Sequence, residues 1–369
     1  MAEIRITICG IDFPNPVWTA AGPTGANARM MLLAAEAGAG GLVAKTLSVR
    51  PARVPIPNIA SPFPGSLLNA EKWSEVNYQQ FIEQELSQVS KCGIPVIASI
   101  GYTPEDLEIL GRMLDRSGLV AAIEFSIHYI DKDPENLRIT AEALRKSTTL
   151  PVLAKLSPAV NDIGSAVRIL DPLVDGYVAI NSLGPALDFN IETLEPYLGS
   201  EDGLGWLSGR AILPVGLHFV AAIAGITDKP VIGAGGIKTV EDVVKYLMAG
   251  ASAVQICSAA ILQGEKIYRR LTDGLQQWMD EHGYRDIKHL RGVFHTRPAR
   301  KMYYLGEGPQ LYPVLMEAAC TFCDLCVRAC MYQAIWFDNN EFKLDKDKCV
   351  SCGLCTTVCF QGALSMIER

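Results

Sequence analysis

The sequence predicts an α/β chain: a (β/α)8 TIM barrel followed by a small α+β domain at the C-terminus. Three observations carry this. Short apolar runs alternate with amphipathic stretches over most of the chain, and the chain has 369 residues, more than one core usually serves. Eight of the eleven cysteines crowd its C-terminal segment.

The strand candidates are "VWTAA" (17–21), "GLVAK" (41–45), "PVIASI" (95–100), "AAIEFSIH" (121–128), "PVLAKL" (151–156), "GYVAINS" (176–182), "PVIGAGG" (230–236) and "SAVQICS" (252–258). Each is apolar at nearly every position, as a parallel strand buried on both faces must be. Between them lie the helical patterns "ARMMLLAAEAG", "EDLEILGRMLDRSG", "PENLRITAEALRKS", "DIGSAVRIL", "PVGLHFVAAIAGI" and "VEDVVKYLMAG". Several end in Gly, the usual helix stop. Eight such units fit a barrel, with a doubly wound sheet as the alternative.

Ahead of the first unit, "EIRITICGIDFPNP" alternates Ile4, Ile6 and Ile8 before a Gly turn. It reads as a β-hairpin closing the bottom of the barrel. Two connections are too long for simple turns: "VRPARVPIPNIASPFPG" (49–65) and residues 183–210. Both leave the C-terminal ends of strands, where barrel sites are built, so they read as substrate loops rather than as insertions without function. Residues 281–319 are richer in charge, Gly and Pro and read as a link. The domains are expected at 1–300 and 301–369.

A net charge of −7 and a pI near 5.4 disfavour nucleic acid and anionic membrane surfaces as partners. No apolar run reaches membrane-spanning length, and "MAEIRITICG" lacks the features of a signal peptide. A cytoplasmic location is the expectation.

The stretches "CTFCDLCVRAC" and "CVSCGLCTTVC" share the spacing C-x2-C-x2-C-x3-C. Three thiolates from one such loop wrap a 4Fe–4S cube, and the fourth ligates the other cube. The assignment is Cys320, Cys323, Cys326 and Cys359 for one cluster, and Cys349, Cys352, Cys355 and Cys330 for the other. Zinc, which takes four ligands in two pairs, is the rival. The fold expected here is a bacterial-type two-cluster ferredoxin domain. Met331 and Phe360 stand where Pro usually follows the fourth cysteine, so their N–H groups could donate to sulfur. Cys9, Cys92 and Cys257 stand alone in apolar contexts and read as buried, inert thiols.

Within the barrel, "GAGG" (233–236) is a Gly-rich turn before a helix, and "CSAA" (257–260) ends the last strand similarly. Phosphate commonly binds at these two loops of a barrel. Lys45 in "VAKT" and Lys155 in "LAKLSP" end buried strands. A buried lysine needs an anion or acceptor, so either a structural ion pair or a phosphorylated cofactor would suit them.

The chain as a whole resembles the flavin barrel of the dihydroorotate dehydrogenase family. Within it, the fusion to a two-cluster ferredoxin domain resembles the C-terminal half of dihydropyrimidine dehydrogenases and their bacterial catalytic subunits. The resemblance rests on "NPVWTAAGPT", "GLVAKTLS", "LLNAEKWSE", "IPVIASIGY", "LPVLAKLSPAVNDI", "VAINS", "LSGRAILP", "VIGAGGI" and "GASAVQICSA". It implies FMN and two 4Fe–4S clusters as cofactors. It places Ala20, Ala21 and Gly22 along the flavin ring, Lys45, Thr46 and Lys155 against it, and Ser208, Gly209, Gly235, Gly236, Cys257 and Ser258 around its phosphate. Asn69, Glu71, Asn181 and Ser182 would meet substrate, with Ser126 beside them, and Asn69 and Asn181 would also flank the cofactor. A cyclic ureide alternates N–H donors and C=O acceptors, which amides and a carboxylate complement.

Strand four departs from the pattern. The pyrimidine-reducing relatives read Glu-x-Asn-x-Ser-Cys-Pro, with Cys as acid/base, and dihydroorotate dehydrogenases use Cys or Ser, whereas this chain reads "EFSIHYI". Ser126 replaces the amide, Tyr129 takes the cysteine's slot, and His128 precedes it. Side chains alternate along a strand, so Glu124, Ser126 and His128 should face inward. His128 is the first candidate proton donor and Tyr129 the second.

The expected function is a flavin- and iron–sulfur-dependent oxidoreductase acting on a C=C or CH–CH bond next to a carbonyl. Dihydropyrimidine dehydrogenase-like chemistry is the first reading, with electrons relayed between the clusters and FMN. The alternatives are a reductase of an unrelated activated alkene, and an electron-transfer subunit with an idle barrel. No G-x-G-x-x-G follows a strand with an acidic residue beyond it. Electrons are therefore expected from ferredoxin, flavodoxin or a separate NAD(P)H-oxidising subunit, and the chain is expected to be a homo-oligomer or a subunit of a complex.

Overall fold

The computed structural model describes residues 1–127, 133–160, 162–298 and 310–368. The chain forms two compact units, Met1–Arg297 and Pro298–Arg369.

In chain order, the strands of the first unit are β1 (Ile6–Ile8), β2 (Ile11–Phe13), β3 (Val17–Thr19), β4 (Leu42–Val43), β5 (Ile59–Ala60), β6 (Ser66–Asn69) and β7 (Val96–Ile100). There follow β8 (Ala122–Ser126), β9 (Val152–Leu156), β10 (Gly176–Ala179), β11 (Leu183–Ala186), β12 (Gly205–Gly209), β13 (Val231–Ala234) and β14 (Ala253–Ile256). Eight of them form one parallel sheet in the order β3-β14-β13-β10-β9-β8-β7-β4. A parallel bridge between Trp18 and Gly41 joins its two ends into a barrel. Each of the eight predicted runs contains one of these strands.

The six helical patterns also hold, at Ala28–Glu36, Pro104–Ser117, Pro134–Ser147, Ile163–Leu170, Leu213–Ala224 and Val240–Met248. Pro104–Ser117 shows why. Thr103 accepts the Asp106 N–H as a cap, Pro104 opens the helix, two acids occupy its first turn, and Gly118 at φ 63° ends it. Leu107, Leu110 and Leu114 form its buried stripe. Helical stretches outside those patterns include residues 78–89, Ser258–Gln263, Ile267–Glu281 and Ile287–Leu290.

Alternation divides every barrel strand between two cores. Ile100, Phe125, Ala154 and Leu156 face the helical layer. Trp18, Val43, Ile97, Leu153, Val178 and Ile232, near the N-terminal ends of their strands, fill the barrel interior with Ile8 and Phe13. The last two come from the β1–β2 hairpin, which therefore plugs the bottom. Higher in the interior the inward residues turn polar: Ser99, Glu124, Lys155 and Gln255 are all buried.

The two long connections form a second, antiparallel sheet, β11-β12-β6-β5. Its central pairing sets Trp206 against Asn69 and Gly209 against Ser66. The connections are thus structured walls, and in the first the Pro-rich composition concealed this.

The second unit contains β15 (Leu311–Leu315), β16 (Ile335–Asp338), β17 (Glu341–Leu344) and β18 (Leu364–Glu368), paired β15–β18 and β16–β17. Short helices Leu325–Ala329 and Leu354–Thr357 follow the cysteine loops. The halves repeat at a spacing of 29 residues, from Cys320 to Cys349. Left-handed backbone recurs at the same offset, in Phe322 and Ser351, Asp324 and Gly353, and Gln333 and Gly362. Among the described residues, no helix is long and apolar enough to cross a membrane.

Candidate active site and cluster sites

A cleft of about 1200 Å³ opens at the C-terminal ends of the barrel strands. Its floor begins at Ala20 and Ala21, just past β3. Gly22 is not part of the lining, yet it shapes the cleft. A Cβ there would lie 2.9 Å from Cys257 Sγ, so only glycine lets the two loops approach. Thr46 lines the cleft and is bonded to Ser99, Oγ1 to Oγ at 2.9 Å.

The two lysines have different settings. Lys45 is buried away from the cleft surface, with Nζ 2.8 Å from Glu71 Oε2 and 3.0 Å from Glu75 Oε2. Lys155 lines the cleft. Its Nζ donates to Gln255 Oε1 at 3.1 Å and lies 3.4 Å from Glu124 Oε1. Gln255 Nε2 in turn donates to Glu124 Oε2 at 2.7 Å. Both lysines are therefore ion-paired, and Lys155 also faces the space a ligand would fill.

Asn69, Glu71, Asn181 and Ser182 all line the cleft. Asn69 Nδ2 donates to the Trp206 carbonyl at 2.9 Å, and its Oδ1 accepts the Glu71 N–H at 3.3 Å. It therefore braces the β6–β12 wall and sets Glu71. Glu71 Oε1 accepts from Asn58 Nδ2. Asn181 Nδ2 donates to Ser126 Oγ at 3.4 Å, while its Oδ1 accepts the Ser182 N–H at 2.8 Å. Ser126 itself is buried behind Asn181 and is not part of the lining. His128 and Tyr129 lie outside the described residues.

At the far end, Ser208, Gly209, Gly235, Gly236, Cys257 and Ser258 converge on the cleft. Gly235 and Gly236 have φ of 115° and 76°, a backbone that favours glycine. A Cβ on Gly236 would lie 2.7 Å from the Leu213 nitrogen. The Tyr246 hydroxyl donates to the carbonyls of Ala234 and Gly235, at 3.1 and 2.7 Å. With its carbonyls held from behind, the turn keeps its N–H groups for the cleft. Among the described residues no protein acceptor takes the N–H of Gly235 or Gly236. Ser208 and Ser258 share a 2.9 Å hydroxyl contact beside them. Unpaired amides, paired hydroxyls and a following helix N-terminus suit a phosphate, so these residues fit the phosphate of FMN. Burial pushes the Cys257 thiol up, consistent with an uncharged role there. Cys9, Cys92 and Cys257 are only partly covered rather than fully buried.

Sequence reading missed Gln255, Tyr102, Trp206, Arg210 and Lys238, which all line the cleft. Gln255 had a signal, a lone polar side chain within an apolar strand. Arg210 had none. Its Nη1 is held 2.6 Å from the fully buried Asp242, which belongs to a helix cap thirty-two positions on.

In the second unit, Cys330, Cys349, Cys352 and Cys355 line one shallow pocket. Burial, with the neighbouring thiols of Cys352, Cys349 and Cys330, pushes Cys355 up to about 11. Burial also pushes Cys326 up, with Cys320 and Cys359 adding to it. Thiols crowded in these sets oppose one another's ionisation, a cost that a cationic iron core relieves. Cys352, Cys349 and Cys330 belong to the ligand group expected for Cys355, and Cys326 of the other expected group also adds to its shift. Among the described residues, the amides of Ala334 and Ala363 reach the sulfurs of Cys330 and Cys359, both at 3.3 Å, and that of Phe322 reaches Cys320 at 3.4 Å. Among the described residues, those of Met331 and Phe360 do not, and the donors come from the turn three residues further on.

Residues 3–279 match the family model described as dihydroorotate dehydrogenase, and residues 319–363 match a 4Fe-4S dicluster domain. The dihydroorotate dehydrogenase B (NAD(+)) catalytic subunit of Pyrococcus furiosus is 33% identical over 302 residues, covering 79% of this chain and 98% of that protein. The similarly named subunit of Geotalea uraniireducens is 33% identical over 307 residues, with 80% and 99% covered. That of Methanocaldococcus jannaschii is 31% identical over 306 residues, with 79% and 98% covered. Each leaves about a fifth of this chain unmatched.

Proposed function

We propose that this chain, which belongs to the dihydroorotate dehydrogenase family, acts on the C=C or CH–CH bond of a neutral cyclic amide of the pyrimidine class. The family and the cluster domain make it a flavin- and iron–sulfur-dependent oxidoreductase of CH–CH groups, with FMN and two 4Fe–4S clusters. FMN supplies the redox chemistry at the substrate carbon.

One observation carries the choice of substrate. Glu71 stands in the cleft wall, and the nearest buried cation, Lys45, is already matched by Glu71 and Glu75 within 3.0 Å. That wall offers acceptors to the N–H groups of a ureide. It repels a substrate carboxylate, because like charges at close range in a low dielectric are costly. Asn181 and Ser182 complete a polar wall beside it, and Lys155 holds a positive charge at the floor.

We assign the proton donor to His128, with Tyr129 as the alternative. Support comes from Glu124 and Ser126, both buried and turned toward the barrel interior, while Phe125 and Ile127 join the helical layer. Electrons are exchanged with the clusters, and through them with ferredoxin, flavodoxin or a separate NAD(P)H-oxidising subunit. The relatives' names, catalytic subunits of an NAD(+) enzyme, favour the last.

A second reading is dihydroorotate itself. Lys72 lines the cleft and forms no ion pair among the described residues, so it could meet a substrate carboxylate. Anaerobic turnover of uracil or dihydrouracil against orotate or dihydroorotate decides. Preference for the uncharged pair supports the first reading. Preference for the carboxylates, abolished by Lys72→Met, establishes the second.

A further inference from the structure

Beneath the cleft lies a buried polar cluster to which the preceding assignments give no role except through Lys155. Glu124 stands on β8, Lys155 on the adjacent β9, and Gln255 on β14. In the sheet order, β14 and β8 are separated by three strands on one side and three on the other, so they face each other across the barrel. The bond from Gln255 Nε2 to Glu124 Oε2, 2.7 Å, therefore spans the interior rather than linking neighbours. The other end of the same amide accepts from Lys155 Nζ at 3.1 Å. An ammonium can only donate and an ionised carboxylate can only accept. The amide is thus fixed in one orientation, with both ends used.

The triad sits on the apolar plug formed by Trp18, Ile97 and Leu153. Glu124 has no exposed surface at all. Of the three, Lys155 and Gln255 reach the cleft lining and Glu124 does not. A simple structural ion pair would need only Glu124 and Lys155. The third member adds an acceptor for the lysine from the opposite wall, which prevents the long side chain from collapsing onto the carboxylate. That constraint matters only if the location of the ammonium matters.

We propose that Gln255 and Glu124 are positioning residues for Lys155. Together they fix its ammonium at the cleft floor and partly offset its charge, and so set the affinity and reduction potential of bound FMN. This rests on the reading that Lys155 faces the flavin. Charge placed beside a flavin shifts its electronics, and here the carboxylate behind the lysine decides how much of that charge is felt.

The test is a reductive titration of the holoenzyme's flavin against a reference dye, with FMN affinity measured by fluorescence. Lys155→Met should make flavin reduction at least tenfold less favourable, about 30 mV for two electrons, and should weaken FMN binding. Glu124→Gln removes the offsetting charge and should shift the equilibrium at least tenfold the other way. Because loss of a buried partner can impair folding, Gln255→Met is the second variant. It keeps the ion pair and should shift the equilibrium severalfold in the direction of Lys155→Met. If Lys155→Met shifts the equilibrium and both other variants stay within twofold of wild type, the positioning role is wrong. If Lys155→Met changes neither potential nor affinity, the reading of Lys155 against the flavin has failed, and this inference with it.

Discussion

The two units hold their cofactors in opposite ways. The barrel buries Trp18, Phe81, Phe125, Tyr177, Tyr246 and Tyr268 almost completely, and its cleft is a hollow in an already finished core. Among the described residues of the second unit, Cys326, Ile335 and Leu364 form the buried centre of its apolar cluster, and one of those three is an expected cluster ligand. A unit of this size rarely supplies enough apolar burial alone. Its cysteines serve as core residues and ligands together. The barrel should therefore fold around an empty cleft, whereas the cluster unit should fold because of its metal.

Cys326→Ser breaks this comparison hardest. It removes a ligand and a core residue together. Iron and sulfide should fall by about half or more, and the segment after Pro298 should become protease-sensitive while FMN content stays unchanged. An intact, protease-resistant second unit lacking iron would show that the unit folds without its clusters.

Gly236→Ala tests the barrel's side. The new Cβ would press within 2.7 Å of the Leu213 nitrogen at a φ of 76°. Such overpacking costs about 1–3 kcal/mol, so a lower melting temperature and weaker FMN binding are expected, with iron content unchanged. Full FMN affinity in this variant would mean that the turn does not hold the phosphate.

A smaller effect is expected from Tyr246→Phe. It releases the carbonyls of Ala234 and Gly235, worth about 1 kcal/mol of stability. FMN affinity should fall severalfold as the turn loosens. Loss of stability with no change in affinity would separate the brace from the site.

The smallest effect sharpens the comparison within the cluster unit. Gln333 at φ 52° occupies the position that Gly362 fills in the other half. A left-handed conformation costs a side chain about 1–2 kcal/mol, of which glycine's greater unfolded-state freedom returns part. Gln333→Gly should therefore stabilise the holo form by roughly 0.5 kcal/mol, measured by chemical denaturation. Destabilisation would mean that the Gln333 side chain makes a contribution the backbone argument omits.

The sequence by itself determined the eight barrel strands, six of the helices and the two cysteine loops. Burial on both faces leaves a continuous apolar run, and a cube of iron and sulfur leaves a fixed spacing. Both constraints act locally along the chain. It also marked the Gly-rich turn at Gly235 and Gly236, because a backbone at positive φ beside a crowded neighbour admits little else. Tertiary structure alone decided the rest. The second sheet arises from Asn69 and Trp206 meeting across two distant connections, and no local period announces such a pairing. Lys45 and Lys155 looked alike in sequence, both ending buried strands, yet one is enclosed between Glu71 and Glu75 while the other is held into the cleft by Gln255. Which acceptor a buried cation finds depends on what the opposite wall of the barrel presents, and that is fixed only when the sheet closes.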